Sequence, residues 1–350
     1  MHSATFATID ASVLAIPTNG DREEVCNYVE TISKLGILVE EKWISLYLSE
    51  NIGDVLFSSG LFPGNDKLSR LLISNEINEY SSRDIFKVVL KLLAIQPYFE
   101  CNYRISKLES GTIVTNPSVS EIIDNPILQN ELLKSATLIA ILNKHCSNFL
   151  GQHWLFLKKA PKGTIQVRAE IKNIEHGRDD VTDIAISPMC FKGNAFICDE
   201  VSEMIKTIDA CAELANATDK DSLLFSIRVA IFKSQSNDTQ CQRYCWDEIK
   251  GPKIGHEFLK RCKKICEDRE SSMPSKILDA IVETVNRRNL SCVHALRTGE
   301  GASDTQRKRG KDRAWRRDVD DEIHLHYWKC GNGEIELASV NYHNDFSIPE

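Results

Sequence analysis

From Glu322 the chain reads EIHLHYWKCGNGEIELASVNYH, two runs of alternating apolar and polar residues joined by Cys-Gly-Asn-Gly. A two-residue period fits a β-strand, and Asn-Gly between two such runs is a strong hairpin signal. Successive side chains of a strand point to opposite faces. One face then carries Glu322, His324, His326 and Trp328, the other Ile323, Leu325 and Tyr327. His343 follows on the second run, close to Tyr342 and Asp345. Just upstream, Arg307, Lys308, Arg309, Lys311, Arg313, Arg316 and Arg317 fall within eleven residues. The whole chain has a formal net charge of -7, so this basic segment runs against its background. Positive charge beside histidines and aromatics suits a surface that binds or cleaves a polyanion.

A chain of 350 residues is long enough for two or three domains. Its 42% hydrophobic and 27% charged residues are ordinary globular values, enough for a substantial core without covalent staples. The net acidity argues against a protein that coats nucleic acid, while leaving room for one local basic site. No run of eighteen apolar residues occurs, which predicts no membrane span. The opening MHSATFATIDASVLAIPTNG lacks the basic start of a secretory signal. A cytoplasmic protein with reduced thiols is the expectation for the twelve cysteines. Cys101, Cys146, Cys190, Cys198 and Cys211 sit in apolar contexts and read as small buried hydrophobes.

Along the chain, FATIDASVLAIP reads as a buried strand closed by a turn. Asp21 with Glu24 forms a capping box before REEVCNYVETISKLG. EKWISLYLSENIGDVLFSSG has helical spacing, and Ser81 or Ser82 opens SRDIFKVVLKLLAIQ, which Pro97 stops. ILQNELLKSATLIAILNKHC is a further long helix. WLFLKK and TIQVRAEIKNI, within 153–175, suggest a small β insert, after which helices return from Glu200. The polar stretch 234–240 is the expected boundary. Beyond it come two helices, a charged loop and three strands. The predicted fold class is α+β: a mainly helical region over 1–235, then a domain over 236–350 with a helical hairpin on a small antiparallel sheet.

Histidines on one strand face could act as general base and acid, and arginine forks fit phosphate bidentately. Cleavage of RNA by its own 2′-hydroxyl needs those parts and no metal. The bland reading is a solvated sheet face and a basic loop partly neutralised by Asp318, Asp320, Asp321 and Glu322.

The order of two helices, basic loop, R-x-x-R strand, aromatic strand and a strand ending near a histidine and an acid resembles toxins of the RelE/ParE superfamily over about residues 270–350. That superfamily consists of small α+β domains; several members cleave messenger RNA on the ribosome and others act on gyrase. The resemblance implies Arg313, Arg316 and Arg317 as phosphate contacts and Tyr327 and His343 as acid–base candidates. It implies RNA or the ribosome as partner, other subunits of a defence complex as further partners, and a bacterial toxin or phage-defence setting. The region before 236 has no counterpart in such toxins.

Two metal readings stand beside this one. Cys241 and Cys245, then Cys262 and Cys266, are each spaced i, i+4, so on helices the four thiols could clamp a structural zinc. The opening strand ending in Asp10-x-Ser12 resembles PIN-domain nucleases, which implies Asp10 as a ligand of magnesium or manganese. Candidate catalytic residues are therefore His324, His326, Tyr327, His343 and Arg316. Candidate nucleic-acid contacts are Arg307, Lys308, Arg309, Lys311, Arg313 and Arg317. The leading function is a metal-independent endoribonuclease needing no cofactor; the alternatives are a non-enzymatic binding subunit and a metal-dependent nuclease.

Overall fold

A computed structural model describes residues 5–18, 20–41, 43–145, 153–161, 163–176, 189–236, 246–269, 271–299 and 304–349. It contains both helices and strands, the strands gathered in mixed sheets, in keeping with an α+β class. The chain forms two compact units that meet at Met204 and Ile205, about thirty residues before the expected boundary at 234–240.

The first unit holds more helix than strand, as expected, but its strands form a six-stranded sheet where a small β insert was expected. Its elements are β1 (Thr5–Ile9), α1 (Ala11–Leu14), α2 (Arg22–Leu38), β2 (Ile44–Tyr47) and α3 (Ile52–Ser58). Then come α4 (Asn65–Ser74), α5 (Ser82–Leu93), α6 (Phe99–Asn102), β3 (Ile105–Asn116), α7 (Val119–Ile122) and α8 (Pro126–His145). β4 (His153–Phe156), β5 (Thr164–His176) and β6 (Met189–Cys198) complete the sheet, and α9 (Val201–Thr207) spans the division between the units. The strand order is β2-β1-β4-β6-β5-β3. β2, β1, β4 and β6 run parallel, while β5 and β3 are antiparallel additions.

Local chemistry explains several of these elements. Asp21 accepts from the Glu24 N–H at 2.9 Å and opens α2, and Ser81 opens α5 in the same way. The segment from Trp43 to Ser58 is a strand followed by a short helix, not a continuous helix. α8 is buried nearly all round, as expected of a helix that is apolar on most of its faces. It passes so close to β6 that a Cβ on Gly193 would stand 3.2 Å from the Ala140 carbonyl oxygen. His153 is a core histidine, with Nε2 2.8 Å from Thr8 Oγ1 and Nδ1 3.1 Å from the Tyr103 hydroxyl. Burial pushes its pKa down to about 3.

The second unit begins with α10 (Ala210–Asn216) and α11 (Lys220–Ser236), followed by β7 (Lys253–Ile254), α12 (Phe258–Asp268) and α13 (Met273–Val285). The strands β8 (Val293–Ala295), β9 (Lys308–Arg309), β10 (Asp312–Asp318), β11 (Ile323–Lys329) and β12 (Ile335–Tyr342) follow. They form the order β7-β12-β11-β10-β8, with β9 paired to β10. β12-β11-β10-β8 is antiparallel and β7 joins parallel at the edge, so the sheet is mixed. α12 lies against β12, and α13 touches β10 and β11.

In β10, opposing pairs share a face with β11: Ala314 with Trp328, Arg316 with His326 and Asp318 with His324. The odd-numbered residues face the other way, where Arg317 ion-pairs with Glu283 of α13 at 2.7 Å. Its guanidinium also donates to the Arg288 and Asn289 carbonyls, and the side chain is 1% exposed. A buried arginine left without its carboxylate is a costly uncompensated charge. Glu283→Ala should therefore lower the unfolding free energy by about 3 kcal/mol, read as a drop in the urea midpoint of the C-terminal transition. An unchanged midpoint would mean that solvent reaches Arg317.

Candidate functional site

The even face of the second sheet has an apolar end and a polar end. At the apolar end Leu296, Ala314, Trp328 and Ala338 form a small core, covered by Phe346 and Ile348 of the chain that follows β12. The Trp328 indole N–H donates to the Pro349 carbonyl at 2.9 Å, which pins that segment across the strands. At the polar end stand His294, Arg316, Asp318, His324, His326, Asn341 and His343, brought in by β8, β10, β11 and β12.

Asp318 is the hub of this group. Its Oδ2 lies 3.3 Å from His294 Nε2, and its Oδ1 lies 2.9 Å from His324 Nδ1. That second contact is off the axis of the ring N–H, so it acts chiefly through charge. On the far side of the ring, His324 Nε2 is 2.7 Å from His343 Nδ1. A carboxylate only accepts, so it draws the His324 proton to Nδ1 and leaves Nε2 as an acceptor. His343 then donates from Nδ1, and its Nε2 is left as a base; the residue itself is exposed. Burial lowers the His324 pKa, and Arg316 lowers it further against the pull of Asp318. His324 is thus a buried imidazole with a lowered pKa, set between the partly exposed Asp318 carboxylate and the exposed His343 ring.

His326 lies one step along the same face, its ring stacked 6.5 Å from that of His324. It is 1% exposed, and its Nδ1 donates to the Ser347 carbonyl at 2.9 Å. Burial pushes its pKa down to about 4. His326 therefore supports the face from beneath the terminal segment and does not meet solvent. Arg316 is half-buried, with its guanidinium 5.8 Å from the Phe346 ring, and it faces both histidines.

Tyr327 is on the opposite face, paired with Trp315, and burial raises its pKa. It cannot share chemistry with His324 and His343 across the sheet. The basic run is also divided by the strand period. Arg317 is spent inside the unit, as above. Arg309 is clamped by Asp312 and Glu336 at 3.0 and 2.6 Å, and lies 4.8 Å from the Trp328 ring. Arg307 donates to the Arg297 and Thr298 carbonyls and holds a loop. Lys308, Lys311 and Arg313 remain exposed around the β9–β10 turn. The acidic residues expected to neutralise the run mostly do something else. Asp320 pairs with Lys276 and Glu322 with Arg269, tying the β10–β11 turn to the helices.

The cysteines separate likewise. Cys241 and Cys245 lie outside the described residues, as does Cys146. Cys262 and Cys266 share a face of α12, where the Cys262 thiol donates to Cys266 and lowers its pKa. Cys198 is buried as expected, but Cys101 and Cys190 are exposed and Cys211 is half-buried.

Asp10 ends β1 and caps α1, its Oδ1 accepting from the Ser12 N–H at 2.8 Å. Burial pushes its pKa up to about 6, with a smaller push from Glu131. Glu131 in turn accepts from the Ser49 hydroxyl, and Glu24 is paired with Lys158. Among the described residues no group of three or more His, Cys, Asp or Glu is arranged to hold a metal ion.

His294 and Asp318 are the parts that sequence patterns passed over. β8 is three residues long, and only its pairing with β10 brings His294 beside Arg316. No protein-family model, curated protein or solved structure matches the chain. No helix among the described residues is long and apolar enough to cross a membrane.

His326 enters the folded unit neutral with a pKa near 4, below the ordinary histidine value of 6.5. The unfolded chain binds more protons between those values, so folding stability falls as pH drops from about 6.5 to 4. The loss attributable to His326 is about 3 kcal/mol. Urea midpoints measured from pH 7 to 4 should fall steeply in the wild type and more gently in His326→Gln. Parallel slopes would place His326 in solvent.

Proposed function

We propose that the C-terminal unit is a metal-independent endoribonuclease, an RNA-directed effector of the bacterial toxin or phage-defence kind. The observation that carries this reading is the chain Asp318–His324–His343, with its buried middle imidazole, exposed terminal base and Arg316 alongside. In the reaction His343 Nε2 takes the proton of an RNA 2′-hydroxyl, and the oxygen attacks the adjacent phosphorus. Asp318 stabilises the positive charge that spreads over the two imidazoles as the proton arrives. Arg316 offsets the extra negative charge on the pentavalent phosphorus. The bond to the 5′-oxygen breaks, and His294, exposed on the other arm of Asp318, returns a proton to it. The products are a 2′,3′-cyclic phosphate and a 5′-hydroxyl.

Lys308, Lys311 and Arg313 would hold flanking phosphates, and the resemblance to RelE/ParE toxins supplies the setting and the ribosome as partner. A second reading, a binding subunit without chemistry, is favoured by the seating of Ser347 and Phe346 against His326 and Arg316. The two readings differ in what RNA becomes, not in whether it binds.

Purified protein incubated with total RNA in EDTA, or with translating ribosomes in magnesium buffer, should leave cyclic-phosphate ends. His343→Ala and Arg316→Ala should each slow cleavage by about a hundredfold or more. Replacing Lys308, Lys311 and Arg313 with alanine should lessen the salt slope of RNA binding by about 2. RNA that is bound but never cut would leave the binding subunit standing, and RNA neither bound nor cut would remove the nuclease and leave a subunit that docks a partner protein.

A further inference from the structure

The site on the C-terminal unit gives the N-terminal unit no part, yet that unit has the layout of a ligand-binding sheet. In its order β2-β1-β4-β6-β5-β3 the chain passes from β1 outward to β2, and later returns to β4 on the other side of β1. Connections leaving adjacent parallel strands in opposite directions open a crevice beyond the strands' carboxyl ends, where such sheets bind ligands. A cleft of about 340 Å³ lies at this reversal, within the range of small-molecule sites.

Most of its lining comes from three places, with Glu24 of α2 and Leu61 completing it. Ser12 and Ile16 follow β1, Lys158 and Lys159 follow β4, and Ile123 and Leu128 flank the start of α8. Ser12 is 5% exposed and lines the cleft, and its hydroxyl lies beside the Asp10 carboxylate, whose pKa it lowers. Lys158 reaches across to Glu24 at 2.7 Å, while Lys159 is exposed. Asn125 caps α8, accepting from the Ile127 and Leu128 N–H groups at 3.0 and 3.3 Å. The positive end of that twenty-residue helix therefore adds its dipole to the two lysines.

We propose that this cleft binds a nucleoside monophosphate. The lysines and the Ser12 hydroxyl meet the phosphate. The apolar walls of Ile16, Ile123 and Leu128 take the flat base, and Glu24 and Asp124, both in the lining, accept from ribose hydroxyls or a base amino group. Phosphate alone would leave the walls and the carboxylates without a role, and the volume matches one nucleotide. The N-terminal unit then binds a small nucleotide through residues separate from those proposed to act on RNA.

The full-length protein should be titrated by calorimetry with AMP, GMP, CMP and UMP, with adenosine and with inorganic phosphate. At least one monophosphate should bind saturably and raise the melting temperature, as a ligand of the native state must. Lys159→Glu changes an exposed side chain that folding does not need, and should weaken that binding by about tenfold or more. Ser12→Ala should weaken it less, and His343→Ala should leave it unchanged. The proposal falls if none of the four binds, if inorganic phosphate binds as tightly, or if Lys159→Glu binds like the wild type. Loss of binding in His343→Ala would also overturn it, by moving the ligand to the other unit.

Discussion

The two-residue period of the C-terminal strands decides what this surface can be. Because neighbours point to opposite faces, a run of basic residues on β10 cannot make one continuous patch. Arg317 goes inward to Glu283 while Arg316, beside it in the chain, goes to the histidine face. The same alternation places Asp318 opposite His324 and sends Tyr327 to the far side with Trp315. The histidine face thus sets the Arg316 guanidinium and the Asp318 carboxylate within a row of imidazoles, with Asp345 and Arg261 at its edge.

Burial then sets protonation. His324 and His326 are enclosed, and desolvation lowers the pKa of both; Arg316 is the next influence on His324 and only a minor one on His326. A neutral imidazole can pass a proton's influence along where an imidazolium cannot accept one. The terminal segment contributes by covering the face: Phe346 and Ile348 extend the small core around Trp328, and the Ser347 carbonyl takes the His326 N–H. Residues 346–348 therefore tie the stability of this unit to the face that carries the histidines.

Short-range signals were the legible ones. The caps at Asp21 and Ser81 are where local hydrogen bonding requires them, and the alternation of β10, β11 and β12 identified three strands correctly. What depends on distant pairing was hidden. β2 lies in a stretch whose apolar spacing also fits a helix, and as a parallel strand it has no clean alternation to distinguish it. β3 and β6 pair with β5 only in the folded sheet, so a six-stranded sheet was reduced to a small insert. At the site, His324, His326 and His343 were named from the pattern, whereas His294 needed the fold. The basic residues were found but not their duties: nothing local says that Arg309 belongs to Glu336, twenty-seven positions later.

The most direct test of this account is nitrogen-15 NMR of the histidine side chains at pH 7, with Asp318→Asn as reference. The account predicts a neutral His324 carrying its proton on Nδ1, and a shift of that tautomer balance when Asp318 loses its charge. A His324 that is an imidazolium at pH 7, or that carries its proton on Nε2 regardless of Asp318, would contradict it.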